Sequence, residues 1–207
     1  MISSLIRMYR AGGFSRISQE FGNFIYDLIN GVETRKRELG NINPDSNHND
    51  YITSHKKTII KSLNFVEDTL LNLEPYDFID IGCGKGKTLL LAENYPFKRI
   101  IGYEINNDIF NVLIKNINTK KSNRFDLLNS SLNFEDINDH SVLYFYNTFQ
   151  EPLTAKFFKY LEDAHHLENI VLIYVNALYS DYLDNSSWEL LYQDNVSTQD
   201  INIYKKA

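Results

Sequence analysis

The spacing of apolar residues alternates along the chain between a pattern typical of helices and one typical of buried strands. Apolar positions every three or four residues predict helices over about 53–73 and 88–94. A third helix is expected around Leu113, and Pro152 is suited to the first turn of a fourth. Runs of mostly apolar residues predict strands at 77–81, 99–104, 124–128, 141–146 and 170–175.

The order of these elements indicates the fold class. Strands that alternate with helices predict an α/β fold, in which a mostly parallel sheet carries helices on both faces. The last two apolar runs, 188–192 and 201–204, are separated only by a polar turn expected near Asp194 and Asn195. Because a direct connection of this kind joins antiparallel strands, we expect an antiparallel pair at the end of the sheet.

Residues 41–50, NINPDSNHND, are polar and turn-forming, which indicates a linker. We therefore expect a helical cap with its linker at 1–50 and a core domain at 51–207. The cap contains apolar side chains that would be unfavourable in water, so we expect it to pack over the carboxyl edge of the sheet. These side chains are Phe14, Phe21, Phe24, Ile25, Tyr26 and Leu28.

Composition and charge disfavour several classes of protein. With 207 residues, 43% of them hydrophobic, the chain can form one α/β domain, and a net charge of -6 disfavours a nucleic-acid surface. Cys83 is the only cysteine and the five histidines show no ligand spacing, so we expect neither disulfide nor metal. No stretch is long and apolar enough to span a bilayer, which predicts no membrane contact and a cytoplasmic location.

The sequence DIGCGKGKT, from Asp80 to Thr88, places three alternate glycines between a predicted strand and a helix. Glycine allows a tight turn and lets a ligand approach the backbone closely. The spacing differs by one residue from both the phosphate-binding P-loop and the dinucleotide-binding fingerprint. Asp80 would repel a phosphate and attract a cation. The loop therefore indicates a site for a cationic ligand.

A second acidic residue, Glu104, ends the next predicted strand, about 20 residues after the glycine loop. A carboxylate in this position can accept hydrogen bonds from both hydroxyls of an adenosine ribose. Together, the loop, Asp80 and Glu104 are a much more specific signal for a ligand site than any one of them alone.

The segments FIDIGCGKGKTLLLA and RIIGYEIN resemble the first two motifs of class I S-adenosylmethionine-dependent methyltransferases. The resemblance covers about residues 51–207 and implies a seven-stranded Rossmann-like sheet of order 3-2-1-4-5-7-6 with strand 7 antiparallel. It implies that Asp80 and the glycine loop hold the methionine part of the cofactor, Glu104 the ribose and Ser130 the adenine. The cofactor-binding residues that it implies are Tyr51, Ser54, Asp80, Gly82, Cys83, Gly84, Gly86, Glu104, Ile105, Ser130, Ser131 and Asn147.

Two further segments carry a narrower likeness. Tyr51-Ile52-Thr53-Ser54 resembles a Tyr-x-Pro-Ser/Thr segment that precedes the core in some small protein-lysine methyltransferases and related bacterial proteins, with Thr53 in place of the proline. Residues 31–34, GVET, resemble a segment of the same bacterial proteins. A helix cap and a loop explain the two segments equally well.

The segment after the fourth predicted strand is where this family places groups that face the methyl acceptor. Tyr146, Asn147 and Phe149 are the candidate catalytic residues there, with Tyr174 and Asn176 expected at the same opening. DNA and amine methylases of one type carry Asn/Asp-Pro-Pro-Tyr/Phe at this point. Neither proline occurs here, which disfavours a nucleobase acceptor. Alternatively, these side chains serve only to satisfy backbone groups at strand ends.

The resemblance implies an enzyme that uses S-adenosylmethionine to methylate an unidentified acceptor, which we expect to be a protein side-chain amine or a small molecule. The alternatives are a nucleic-acid base methylase and a catalytically silent subunit that binds the cofactor. A nicotinamide-dependent reductase is disfavoured by Asp80 and by the glycine spacing. The cap is expected to close the acceptor pocket, so that deleting residues 1–40 spares cofactor binding in part and abolishes methyl transfer.

Overall fold

Helices and strands alternate along the structure, a computed structural model that describes residues 21–35, 53–196 and 198–206. The strands are β1 (Asp77–Ile81), β2 (Arg99–Tyr103), β3 (Phe125–Leu128), β4 (Ser141–Phe145), β5 (Ile170–Val175), β6 (Trp188–Val196) and β7 (Gln199–Lys206). The helices are α1 (residues 21–30), α2 (Lys56–Leu70), α3 (Lys87–Ala92), α4 (Asn107–Ile117), α5 (Glu151–Asp163) and α6 (Asp181–Asp184), with a 3-10 turn at Phe134–Asp136.

All seven strands form one sheet of order β3-β2-β1-β4-β5-β7-β6. The first five strands in this order pair in parallel, and β7 is antiparallel to both of its neighbours. The predicted fold class, sheet order and antiparallel end are thus confirmed.

The central strands β1, β4 and β5 are buried along their whole length, which explains why β5 is a continuous apolar run and why apolar residues predominate in β1 and β4. Each face of the sheet is covered by helices. Apolar residues of α2, α3 and α4, such as Leu63, Leu89 and Leu113, form a core on one face. Phe157 and Leu161 of α5 contribute to the core on the other.

Three details differ from the sequence-based expectations. The predicted turn near Asp194 and Asn195 is wrong, since β6 continues to Val196. Polar partners hold both side chains along the strand: Asp194 accepts from Lys61 and Tyr192, and Asn195 donates to Asp200. The first predicted helix, 53–73, is shorter in the structure, where α2 spans Lys56–Leu70. The next residue, Leu71, has a left-handed backbone conformation that ends the helix. The short helix α6, with one buried residue, was not predicted.

The described N-terminal residues pack on the domain. Tyr26 and Val32 are buried in the same core cluster as Ile59 and Leu63. The remainder of the predicted cap, residues 1–20 and 36–50, lies outside the described residues, so the division into cap and core stays a prediction. Within the described ranges, no helix combines the length and hydropathy needed to cross a bilayer.

Candidate active site

A pocket of about 830 Å³, counting the part open to solvent, lies at the carboxyl ends of β1, β2 and β4. Most of the predicted site residues line it: Ser54, Asp80, Gly82, Cys83, Glu104, Ile105, Ser130, Ser131, Tyr146 and Phe149. Gly84, Gly86 and Asn147 lie outside the lining, and Tyr51 lies outside the described residues.

The carboxyl group of Asp80 is buried at the end of β1. Burial raises its pKa to about 8, and the charge of Glu104 adds to this effect, whereas a hydrogen bond with the Thr88 side chain opposes it. Among the described residues, the Oδ2 atom of Asp80 has no hydrogen-bond partner. A buried carboxyl with an unsatisfied oxygen in a pocket lining is suited to a cationic ligand.

The glycine loop turns sharply above Asp80. Gly82, Gly84 and Gly86 all have positive φ, between 55° and 83°, which glycine adopts without steric cost. A Cβ on Gly82 would lie 2.3 Å from Cγ2 of Thr148, whose hydroxyl donates to the Ile81 carbonyl at 2.5 Å. The residue at 82 must therefore be glycine for the segment after β4 to cover the loop.

Glu104 at the end of β2 is buried and connects the glycine loop with the start of α4. Its Oε2 accepts from the N–H of Gly84 at 3.0 Å, and its Oε1 accepts from the N–H of Asn106 at 2.8 Å. Burial raises the pKa of Glu104, and these two bonds oppose the shift. Asn106 in turn caps α4 by accepting from the N–H groups of Asp108 and Ile109. The carboxylate is thus fixed in position at the pocket wall.

The region expected to face the adenine is more open. The Ile105 side chain is 47% exposed although it lines the pocket, so a ligand could cover apolar surface there. Ser130 and Ser131 are exposed residues of the lining after β3. Asn129, just before them, donates to the Glu104 carbonyl at 2.8 Å and so fixes this loop against β2.

On the side predicted to face the acceptor, Tyr146 presents a hydroxyl whose oxygen accepts from Asn176 Nδ2 and from Gln199 Nε2, both at 3.0 Å. Burial raises the pKa of Tyr146, so the hydroxyl keeps its proton at neutral pH. Because both bonds are accepted, that proton can be donated to a further group. Phe149 is buried and stacks near Phe145.

Asn147 does not point into the pocket lining. Its φ is 43°, a left-handed conformation, and its Oδ1 accepts from the Tyr174 hydroxyl at 3.0 Å. Its Nδ2 donates to the carbonyl of Asn176, which also has a positive φ of 49°. The structure therefore ties Asn147 to the ends of β4 and β5, as expected from the alternative in which such residues satisfy groups at strand ends.

Further side chains fix the pocket from elements that are distant in the sequence. The hydroxyl of Tyr144 donates to Ser54 Oγ at 2.8 Å, which fixes the residues before α2. Gln199 of β7 accepts from the N–H of His55 at 2.9 Å, while its amide nitrogen donates to Tyr146. Gln199 thus holds two sides of the pocket together.

Several lining residues were not predicted as site residues from the sequence. Lys87, Thr88 and Asn106 belong to the two recognised motifs, and Thr148 lies between the candidate residues Asn147 and Phe149, so these segments were an available signal. Tyr144 has no such signal, because its position depends on how β4 packs against β1. The unpredicted lining residues are Thr53, Ile81, Lys87, Thr88, Tyr103, Asn106, Ile109, Leu132, Tyr144 and Thr148.

The fold and the pocket agree with what comparison with known families finds. Residues 74–192 match a family model described as "Putative methyltransferase". The chain belongs to this family. The family depends on S-adenosylmethionine, which confirms the predicted cofactor. No match was found among curated proteins.

Several solved structures share the fold. "Putative methyltransferase yhhF from Escherichia coli" matches with a TM-score of 0.60 at 17% identity, over 75% of this chain and 90% of that one. A "putative RNA methyltransferase PH1948 from Pyrococcus horikoshii" matches with a TM-score of 0.59 at 15% identity, over 87% and 96%. A mutant of MtNAS in complex with S-adenosylmethionine matches with a TM-score of 0.55 at 17% identity, over 73% and 62%.

These comparisons bear on two earlier predictions. They do not show the predicted likeness to protein-lysine methyltransferases. The prediction that disfavoured a nucleic acid is not supported, because one similar fold is described as an RNA methyltransferase. Within the part of the chain that the structure describes, no three His, Cys, Asp or Glu residues group as a metal site.

Proposed function

We propose that this chain transfers the methyl group of S-adenosylmethionine to a nucleophile bound in the pocket. The observation that carries the proposal is the buried carboxyl of Asp80, which lines the pocket and has one oxygen without a partner among the described residues. A cation beside this oxygen would stabilise the ionised carboxylate and so compensate for the solvation that the group loses on burial. When bound, the cofactor supplies an electrophilic methyl group on a sulfonium and a cationic amine.

The residues of the pocket suit the parts of this cofactor. Asp80 and Gly82 would hold the methionine part, and Glu104 would hold the ribose. Each carboxylate oxygen of Glu104 already accepts one backbone N–H and retains a lone pair for a ribose hydroxyl. Ile105 and Ser130, which are exposed in the lining, would contact the adenine.

Tyr146, Thr148 and Phe149 would form the acceptor side of the pocket. The Tyr146 hydroxyl can donate a hydrogen bond that orients the acceptor, because both of its own contacts are accepted ones. Methyl transfer then depends mainly on alignment of the acceptor lone pair with the methyl group. An acceptor amine must also lose a proton, for which a nearby base is required.

We propose a protein side-chain amine or a small molecule as the acceptor, in keeping with the acidic net charge of -6. The fold shared with an RNA methyltransferase favours RNA as a second candidate. The cytoplasmic location and a role as a silent cofactor-binding subunit stay untested predictions.

Calorimetric titration of the purified chain tests the cofactor proposal. We expect binding of S-adenosylmethionine and S-adenosylhomocysteine and none of NAD or ATP. Glu104→Ala should weaken the binding by about 1.5–3 kcal/mol, roughly tenfold or more, because charged hydrogen bonds to the ribose are lost. Tight NAD binding without S-adenosylhomocysteine binding would overturn the proposal, and unchanged affinity in the variant would overturn the ribose assignment.

The acceptor can be found with S-adenosylmethionine labelled on its methyl group. Incubation with separate protein, RNA and small-molecule fractions, followed by mass spectrometry, should show the label in protein or small molecules. Label confined to RNA would favour the second candidate. Cofactor binding without label in any fraction would favour the silent subunit.

A further inference from the structure

Residues 31–35, called here the 31–35 strap, lie against the glycine loop although they are about 50 positions away in the sequence. Their sequence contains the GVET segment, to which the proposed reaction gives no role. The strap is joined to α4 by Asn116, which is buried. Asn116 Oδ1 accepts from the N–H of Glu33 at 2.9 Å, and its Nδ2 donates to the carbonyl of Glu33 at 3.0 Å.

The same amide group also holds the glycine loop. Asn116 Nδ2 donates its second hydrogen bond to the carbonyl of Lys85 at 2.8 Å. Lys85 lies between Gly84 and Gly86, so this bond fixes the middle of the loop. One side chain of α4 thus connects the strap and the loop through three hydrogen bonds, with both donors and the acceptor of its amide in use.

Two other contacts hold the strap in this position. The ammonium group of Lys85 is fully buried and lies 3.1 Å from a carboxylate oxygen of Glu33. At the other end of the strap, Thr34 donates through its N–H and its hydroxyl to the two carboxylate oxygens of Asp27, at 3.0 and 2.6 Å. Asp27 belongs to α1, so the strap links α1 with the loop.

The conformation of the glycine loop matters for the site because other residues of the loop line the pocket or contact a residue that does. Gly84 donates its N–H to Glu104, and Gly82 and Cys83 line the pocket. A displacement of Lys85 would therefore move both the residues proposed to hold the methionine part and the carboxylate proposed to hold the ribose.

We propose that Asn116 is a positioning residue for the cofactor, which holds the glycine loop in its binding conformation by joining it to the 31–35 strap. The inference rests on the proposed function, since it takes the glycine loop as the cofactor site. It gives the N-terminal segment a part in cofactor binding. By thermodynamic reciprocity, bound cofactor must stabilise the strap by the same factor by which the strap strengthens cofactor binding.

The test compares the full chain with Asn116→Ala and with Asn169→Ala as a matched control. Asn169 is a partly buried asparagine that also joins two segments, through a 3.0 Å bond to Asp139, but at the amino ends of β4 and β5. In calorimetry with S-adenosylhomocysteine, Asn116→Ala should lose at least about fivefold in affinity, a typical coupling between sites. Asn169→Ala should bind like the wild type.

Hydrogen exchange distinguishes positioning from a general loss of stability. In the wild type, S-adenosylhomocysteine should slow exchange of the Glu33 amide, and in Asn116→Ala it should not. Glu33→Gln, which changes a half-exposed side chain and leaves the core intact, should show a smaller loss of affinity in the same direction. Wild-type affinity in a folded Asn116→Ala would overturn the inference, whereas absence of binding by the wild type would overturn the proposed function instead.

Discussion

Among single residues, Asp80 has the most unusual electrostatic environment. Its pKa in the folded chain is about 8, far above the usual value near 3.8, with burial as the main cause. This carboxyl therefore binds more proton in the folded chain than in the unfolded chain between these two pH values, and its contribution to the free energy of unfolding falls as the pH rises through that window. The ionised form that a cation requires is thus unfavourable until the ligand arrives.

We predict that Asp80→Asn makes the unligated chain less sensitive to pH. Between about pH 5 and pH 8, the free energy of unfolding of the wild type should decrease relative to the variant by at most about 1.4 kcal/mol per pH unit. Urea unfolding of both proteins at pH 5, 6.5 and 8 measures this difference, in which other titrating groups cancel. A constant difference would mean that the carboxyl is already ionised at pH 5.

At the scale of elements, the glycine loop and α4 form one unit. Gly86 precedes α3 with a φ of 83°, and a Cβ there would lie 2.5 Å from Cδ1 of Leu113 on α4. The backbone conformation and the close approach are two separate reasons for glycine at this position. The pairing of loop and helix also places Asn116 next to Lys85.

We predict that Gly86→Ala destabilises the chain by about 1–3 kcal/mol from backbone strain, with a further cost from the contact with Leu113. Leu113→Val removes the Cδ1 atom, so Gly86→Ala should cost less in that background. Urea unfolding of the two single variants, the double variant and the wild type separates the two contributions. Strict additivity would show that the contact with Leu113 has no effect.

Elements were easier to predict from the sequence than the site was. Strands β1 and β5 are short, fully buried and mostly apolar, and their predicted limits agree with the structure. Helix α6 is only four residues long, too short for an apolar period. The glycine loop, Asp80 and Glu104 carry their own sequence pattern, so this part of the pocket lining could be singled out from the sequence. Asn116 and Gln199 carry none, because their roles arise from packing between distant segments.

For the whole molecule, the described N-terminal residues are part of the fold. Tyr26 and Val32 pack in the core cluster with α2, and the strap contacts the glycine loop. These contacts add to the earlier expectation that a cap formed by residues 1–50 closes the acceptor pocket, which stays a prediction. Removing them should affect both the stability of the domain and the affinity for the cofactor.

We predict that deletion of residues 1–40 lowers the thermal midpoint of unfolding, because each large apolar side chain in the core contributes about 1.5–3 kcal/mol. The affinity for S-adenosylhomocysteine should fall at least as far as in Asn116→Ala, since the whole strap is lost. Thermal unfolding with and without the ligand measures both effects. A truncated chain with the wild-type midpoint and affinity would show that the segment contributes to neither.

The position of β7 in the sheet has a consequence for biosynthesis. This strand follows every other described element in the chain, yet it lies between β5 and β6 and pairs with both. Its first residue, Gln199, holds the Tyr146 hydroxyl and the His55 amide on two sides of the pocket. On the ribosome, the glycine loop therefore emerges long before the pocket can be completed. A nascent chain that ends before Gln199 contains the glycine loop and Glu104 but lacks the residue that holds two sides of the pocket together, so assembly of the pocket must await release of β7 from the exit tunnel.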